Sequence, residues 1–238
     1  MQRIMMGLCI ALVATMAAAE DLAKVKEDFE KNIPGMKIDQ LKPAPLPGMY
    51  EVVSEGQVLY ISADGRYILH GDLYDRTTSS NLTEQTRGGI NAKLLARVDD
   101  SKTIVFAPKN PKYTVTVFTD TSCGYCRKLH KEVPELNKRG VKVRYMLFPR
   151  AGLGSADARV LESVWCAQNQ QEAMNTAKAG GQVSPKTCAN PISEHIKLGR
   201  KLGLQGTPML ITPKGTVIGG YMQYEELVAT LEKDAQSD

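Results

Sequence analysis

Residues 113–132 read YTVTVFTDTSCGYCRKLHKE, and this stretch decides the fold. Apolar and polar residues alternate over 113–119, which predicts a strand, and a charged segment from 124 to 138 is compatible with a helix. Cys123 and Cys126 lie at the junction between the two. Two thiols at this spacing can close into a disulfide and open again with little backbone movement. The pattern therefore predicts redox chemistry at a strand-to-helix turn.

The position of each thiol predicts its role. A helix that begins at the motif directs unpaired N–H groups and the positive end of its dipole at Cys123, which favours the thiolate. Cys123 is therefore the predicted nucleophile, and Cys126, one turn further and more shielded, is the predicted resolving thiol. Half of a zinc site and a purely structural disulfide are the alternatives. A zinc module usually brings a second close pair of cysteines, and a disulfide that closes so short a loop stabilises little.

The first nineteen residues predict a cleaved secretory signal. Arg3 precedes an apolar run over 4–16, and Ala17, Ala18 and Ala19 form a small-residue ending. The alternative is a membrane anchor, but the run is shorter than the roughly 20 residues of a spanning helix. Cys9 is removed with the signal, which leaves an even number of cysteines, as suits an oxidising compartment.

Composition and charge exclude some function classes. Of 30 Lys and Arg residues only Arg3 is lost with the signal, so a small positive excess over 26 Asp and Glu remains. This charge is spread along the chain and gives no nucleic-acid footprint. No second long apolar run follows, so the mature chain is expected to be soluble. We expect neither a metal nor another cofactor.

The mature chain predicts two domains joined by a helical linker. Over 20–76 a short amphipathic helix precedes three strand-like runs (49–53, 57–62 and 66–74), an antiparallel meander that is too small for an independent core. The segment 77–107 contains a predicted linker helix from Ile90 to Val98, with Gly88 and Gly89 as a break, a hinge or an ordinary loop pair. The remainder, 108–238, predicts the order strand, helix, strand, helical insertion, two strands and helix. The fold class is α+β with a thioredoxin-like second domain.

The motifs together resemble the DsbC family of periplasmic disulfide isomerases. The resemblance rests on VFTD over 117–120, CGYC over 123–126, VRYMLFPR over 143–150, VWCA over 164–167 and GTP over 206–208. It covers nearly the whole mature chain and implies a homodimer whose N-terminal domain dimerises. It also implies a periplasmic location, unfolded or misoxidised secreted proteins as substrates, and a membrane electron donor of the DsbD type. Val52, Val58, Tyr60, Ile68 and Leu73 are candidates to cover the dimer joint.

The resemblance also implies further site residues. Thr207 and Pro208 match the loop that faces the active disulfide, with Pro208 in cis. Tyr125 is a candidate for substrate binding, although a half-exposed helix residue is the simpler interpretation.

Four other positions carry expectations from the residues themselves. Cys166 and Cys188 predict a structural disulfide, with a second redox pair as the alternative. His130 is expected at the surface, and Pro134 predicts a kink or an early end of its helix.

The proton acceptor for Cys126 is not identified by the sequence. Thioredoxin has a buried carboxylate six residues before its first active cysteine, and Val117 stands there in this chain. Asp120 is expected to cap the turn, although its negative charge would oppose thiolate formation at Cys123.

The predicted function is isomerisation of incorrect disulfides in secreted proteins through the Cys123/Cys126 dithiol, with associated chaperone activity. A DsbG-like reductase of oxidised single cysteines is one alternative, and Gly124 in the motif favours the isomerase over it. A holdase chaperone that works through an apolar cleft is the alternative from another class.

Overall fold

The computed structural model describes residues 22–236. The chain forms two compact units, Met1–Thr86 and Arg87–Asp238. The predicted signal over 1–19 lies outside the described residues. Over 22–236, no helix is both long and apolar enough to cross a membrane.

The first unit is a small antiparallel sheet with one helix, as the sequence predicts. Helix α1 covers 22–32. The strands pair in chain order and are β1 (Ile38–Pro43), β2 (Met49–Ser54), β3 (Gln57–Ser62) and β4 (Ile68–Leu69). Phe29 of α1 packs with Ile38, Val52 and Ile61 in the core of this unit. The sequence pattern does not predict β1, because its residues IDQLKP alternate weakly and end in proline.

Three of the residues expected at a dimer joint are buried within the single chain instead, Val52 in this core and Val58 and Tyr60 outside it. Val52 and Val58 are fully buried and Tyr60 is 1% exposed within the single chain, so that part of the expectation is wrong. Tyr60 is held by polar contacts, since its hydroxyl lies 2.5 Å from Oγ1 of Thr83. Ile68 remains exposed on β4.

The predicted linker helix is longer than expected. After the short pair β5 (Tyr74–Asp75) and β6 (Ser80–Asn81), helix α2 spans Leu82–Leu95 and contains the boundary between the two units. It continues through Gly88 and Gly89, so the predicted break does not occur. Packing explains why position 88 is a glycine, because a Cβ on Gly88 would lie 2.9 Å from the carbonyl oxygen of Lys214.

The second unit is built on a mixed sheet of five strands in the order β11-β10-β8-β9-β7. Its strands are β7 (Ile104–Phe106), β8 (Tyr113–Thr119), β9 (Val141–Leu147), β10 (Met209–Ile211) and β11 (Val217–Gly219). Its helices are α3 (Gly124–Lys138), α4 (Ala156–Trp165), α5 (Gln170–Lys178), α6 (Ile192–Lys201) and α7 (Tyr224–Gln236). Only β8 and β9 pair in parallel. The predicted thioredoxin-like order with a helical insertion is confirmed.

Strand β7 belongs to this sheet although it lies in the segment 77–107 that we predict as linker. It pairs with β9, through Ile104 opposite Tyr145. Three residues are too few to show alternation, which is why the sequence pattern does not reveal the strand.

The central strand β8 contributes to both faces of the sheet. Val115 and Val117 pack in the larger core with α3, whereas Phe118 packs in a second core on the other side. Of the two outcomes predicted for Pro134, an early end of α3 is wrong, since the helix runs on to Lys138, and a kink stays a prediction. The apolar face of α3 offsets the proline, because each fully buried aliphatic side chain contributes about 1.5–3 kcal/mol against about 3 kcal/mol lost at one proline.

Candidate active site

The dithiol lies at the start of α3, where β8 ends. Cys123 is the N-cap of the helix, and its Sγ accepts a hydrogen bond from the backbone N–H of Cys126 at 3.4 Å. Both thiols are free, and Cys126 is fully buried while Cys123 is 4% exposed. The difference in exposure between them is therefore small, and the helix N-terminus distinguishes them more strongly.

A loop from a distant part of the chain covers Cys123. The Thr207–Pro208 peptide bond is cis, and the Cys123 thiol donates to the carbonyl oxygen of Thr207 with an Sγ–O distance of 3.1 Å. Strand β10 starts directly after this loop and pairs with β8, so the sheet fixes the loop opposite the dithiol. The buried hydroxyl of Thr207 has no hydrogen-bond partner among residues 22–236, which leaves it free to donate to a thiolate.

Asp120 caps the turn before the motif, and Arg150 balances its charge. One carboxylate oxygen accepts from the backbone N–H and the hydroxyl of Ser122, each at 3.0 Å. The other accepts from the backbone N–H of Arg150 at 3.0 Å and from its Nε at 3.1 Å. Burial raises the pKa of Asp120, but these hydrogen bonds outweigh it and hold the pKa below its ordinary value. The expected opposition to thiolate formation is reduced, because the guanidinium lies beside the same thiols.

The two thiols have opposite electrostatic environments. Burial acts to raise the pKa of Cys123, but the Cys126 N–H, Thr207 and the charge of Arg150 together lower it below its ordinary value. Burial raises the pKa of Cys126 above its ordinary value, and the charge of Lys178 is the largest influence against that rise. Cys123 therefore carries the more available thiolate.

Lys178 is a site residue that sequence reasoning misses. It is the last residue of α5 and is 3% exposed. Its Nζ donates to Oγ1 of Thr119 at 2.5 Å and to the carbonyl oxygen of Asp120 at 3.0 Å. Burial lowers the pKa of Lys178 to about 8. A lysine in a polar, helical insertion gives no local signal of burial, so only the fold reveals it.

The expectation that His130 lies at the surface is wrong. Its side chain is packed beneath α5, with Nδ1 lying 3.0 Å from the hydroxyl of Tyr145 and Nε2 lying 2.9 Å from Oδ1 of Asn175. Burial lowers the pKa of His130 to about 4, so the ring is neutral near pH 7. Phe106 also contacts the ring edge-on.

The remaining predicted residues lie apart from the dithiol or at its rim. Cys166 and Cys188 are joined in a disulfide. Tyr125 is 64% exposed and stacks on Tyr221, with ring centroids 6.2 Å apart. Among the described residues, no cluster of three or more His, Cys, Asp or Glu side chains could hold a metal ion.

Comparison with known proteins covers both units of the chain. Residues 16–84 match the model of the disulfide bond isomerase protein N-terminal domain, and residues 100–235 match that of a thioredoxin-like domain. The thiol:disulfide interchange protein DsbC of Dickeya dadantii is 36% identical over 97% of this chain and 95% of its own length. DsbC of Escherichia coli K12 is 35% identical, over 94% of this chain and 92% of its own length. A crystal structure of a disulfide interchange protein from Neisseria gonorrhoeae superposes with a TM-score of 0.53 at 30% identity, over 59% of this chain and all of that one.

The second unit, with two buried thiols of unlike acidity beside a cis-proline loop, defines a thioredoxin-like thiol–disulfide oxidoreductase. Sequence identity to the two DsbC proteins over nearly the full length assigns the chain to one family within this class. The chain belongs to the DsbC family of thiol:disulfide interchange proteins, and its activity is the isomerisation of protein disulfides.

Proposed function

We propose that Cys123 is the attacking thiolate and Cys126 the resolving thiol of this isomerase. The observation that carries the proposal is the contrast between the two sites, since the pKa of Cys123 is lowered and that of Cys126 is raised. A thiolate is the nucleophile in disulfide exchange, so the thiol with the lower pKa attacks first near neutral pH.

The exchange proceeds in balanced steps. The Cys123 thiolate attacks one sulfur of a substrate disulfide, a mixed disulfide forms and the second substrate sulfur leaves as a thiolate. Attack of a substrate thiolate on the mixed disulfide then releases Cys123 and leaves a rearranged substrate with no net oxidation. In the resolving branch, Cys126 loses its proton to water and attacks Sγ of Cys123. The bond from Cys123 to the substrate breaks, the substrate leaves as a thiolate, and the dithiol is oxidised by two electrons.

Other groups at the rim suit an extended, unfolded substrate. Thr207 and Pro208 present backbone beside Cys123, where a substrate strand can pair with Thr207. Exposed Tyr125 offers an aromatic face next to the dithiol. We assign substrate binding to these three residues, and we assign a structural role to the Cys166–Cys188 disulfide.

The assembled protein is a periplasmic homodimer in this proposal. Strand β4 ends the sheet of the first unit, and Ile68 and Leu69 on it are 52% and 49% exposed. A terminal strand with apolar side chains is suited to pairing with a second copy across a two-fold axis. Its substrates are misoxidised secreted proteins, and a membrane donor of the DsbD type returns the oxidised dithiol to the reduced state.

Trapping tests the assignment of the thiols. With a scrambled multi-disulfide protein as substrate, Cys126→Ser is expected to accumulate a mixed disulfide through Cys123, whereas Cys123→Ser accumulates almost none. Cys166 and Cys188 remain paired in both variants and serve as the internal control. Trapping chiefly through Cys126 contradicts the assignment.

Sedimentation tests the dimer. Ile68→Asp is expected to give a monomer that keeps thiol reactivity and loses most isomerase activity. Leu46→Asp, at a position that is 43% exposed and outside the strands, is the matched control and should remain dimeric. A parent protein that sediments as a monomer contradicts this part of the proposal.

A further inference from the structure

Thioredoxin has a buried carboxylate at the position of Val117, whereas this chain has a buried cation, Lys178, that contacts Thr119 two residues further along β8. Val117 occupies the carboxylate position and is 1% exposed in the core. Lys178 reaches the same region from α5 and ends at Thr119 and Asp120, the last two residues before the motif turn. Among residues 22–236, no carboxylate forms an ion pair with Lys178, so its ammonium group has only neutral hydrogen-bond partners.

Lys178 and Cys126 share the same neighbours. The Nζ of Lys178 lies 2.5 Å from the Thr119 hydroxyl and 3.0 Å from the Asp120 carbonyl oxygen. The Thr119 side chain and the Asp120 backbone also act on Cys126, where each lowers the pKa of the thiol. The ammonium group and the sulfur therefore lie around the same two residues. Both side chains are buried, so solvent screens the charge only weakly.

Charged and titratable groups approach Cys126 from every element packed around it. They are Cys123, Arg127 and His130 on α3, Asp120 after β8, Tyr145 on β9, Arg150 after β9 and Lys178 on α5. His130 is neutral near pH 7 because its pKa is lowered to about 4, and burial holds the pKa of Tyr145 above its ordinary value. Asp120 and Arg150 form an ion pair with each other. Arg127 is half-buried and donates its Nε to the carbonyl oxygen of Thr121. Neither Arg127 nor Lys178 has an ion-pair partner among residues 22–236, but Lys178 is the buried one of the two and the first influence that lowers the pKa of Cys126.

We propose that Lys178 is a positioning residue for the resolving step, and that its buried ammonium group, held by Thr119, stabilises the Cys126 thiolate as that sulfur attacks Cys123. This inference rests on the proposed role of Cys126 as the resolving thiol. In that step the Cys126 proton passes to water, and Lys178 keeps its own proton while negative charge develops on the sulfur. The side chain of Lys178 also lines a cavity of about 390 Å³ with His130 and Asn175.

The charge is removed most cleanly by Lys178→Met, which keeps the length of the side chain. In a Cys123→Ser background Cys126 is the remaining free thiol among residues 22–236, and its pKa is read from the ultraviolet absorbance of the thiolate. Lys178→Met is expected to raise that pKa by about one unit or more, and to slow resolution in the parent background about tenfold at pH 7. Resolution is followed in a single turnover as release of the second substrate thiol.

The matched controls separate charge from damage to the fold. Lys197→Met makes the same charge change on the exposed side of α6 and should leave both readouts unchanged. Thr119→Val removes the hydroxyl and keeps the lysine, so it is expected to raise the Cys126 pKa by less than Lys178→Met. Lys178→Arg keeps the charge and is expected to restore part of the rate.

Several results would overturn the inference. The inference is wrong if the pKa of Cys126 is unchanged in the folded Lys178→Met protein. It is also wrong if Lys178→Met slows the first attack and the resolving step equally. If Lys178→Met does not fold, Thr119→Val decides by the same two readouts, and an unchanged Cys126 pKa again overturns it. The pKa of Cys126 is measured on proteins without Cys123. This result therefore holds even if the trapping experiment shows that Cys126 attacks the substrate first.

Discussion

Removal of the Cys166–Cys188 disulfide is expected to reduce stability and to spare the chemistry. The bond links residues 22 positions apart, from the C-cap of α4 to a segment without helix or strand. On the chain-entropy model a loop of this length contributes about 3 kcal/mol to the free energy of unfolding. Two hydrogen bonds hold the same segment and persist without the bond, from Trp165 Nε1 to the Ala189 carbonyl at 3.2 Å and from the Lys186 N–H to Ser163 Oγ at 3.2 Å. The double variant Cys166→Ala/Cys188→Ala should therefore stay folded while it loses about 3 kcal/mol.

Urea unfolding measures this loss directly. Trp165 is the single tryptophan of the chain and precedes Cys166, so its fluorescence reports the affected region, and circular dichroism reports the whole fold. The control is reductant, which should lower the midpoint of the parent and leave that of the double variant unchanged. Isomerase activity below the unfolding transition should match that of the parent. A folded double variant that has lost isomerase activity, or one as stable as the parent, refutes the structural role of this disulfide.

Three further perturbations follow from the ionisable groups of the second unit. Arg150→Met leaves the buried Asp120 carboxylate with fewer hydrogen-bond donors and removes a cation from the surroundings of Cys123. We expect the free energy of unfolding in urea to fall by about 1–2 kcal/mol and the alkylation of Cys123 near neutral pH to become slower. A variant that matches the parent in both measurements contradicts this. The pKa of His130 falls from 6.5 to about 4 on folding. The contribution of neutral His130 to the free energy of unfolding is therefore present above pH 6.5 and is lost towards pH 4, by up to about 3 kcal/mol. His130→Gln should flatten this part of the profile of unfolding free energy against pH, and exposed His70→Gln should not. The pKa of Lys178 falls from 10.5 to about 8, so the free energy of unfolding should rise between pH 8 and pH 10.5 in the parent, and a rise that persists in Lys178→Met contradicts the burial of its charge.

The sequence predicts the fold best where a pattern is long and local. The bounds of β8 and α3 match the prediction, because seven alternating residues and a long helical segment flank the dithiol. Strands β1 and β7 are missed, because short edge strands with few apolar residues carry little periodicity. The early end predicted at Pro134 fails because tertiary burial of the α3 apolar face outweighs a local penalty.

The residues of the candidate site likewise fall into those that a local pattern predicts and those that only the folded chain reveals. The roles of Cys123 and Cys126 can be predicted because the helix dipole is a local effect. Arg150 and Lys178 cannot, since each reaches the thiols only after the chain returns from a different element. His130 is misjudged for the same reason, because α5 covers a side that a single helix would leave open.

The contact between Cys123 and Thr207 joins residues 84 positions apart. The Thr207 side chain and the charge of Arg150 both lower the pKa of Cys123. Part of the acidity of the nucleophile is therefore acquired only when these distant residues have come together with the start of α3. A newly made or partly unfolded copy carries the same cysteines with ordinary thiol reactivity. In that copy, Cys166 and Cys188 have to form their disulfide in the presence of the two further thiols of Cys123 and Cys126. Until that copy folds, it lacks the arrangement around Cys123 that lowers the pKa of the thiol.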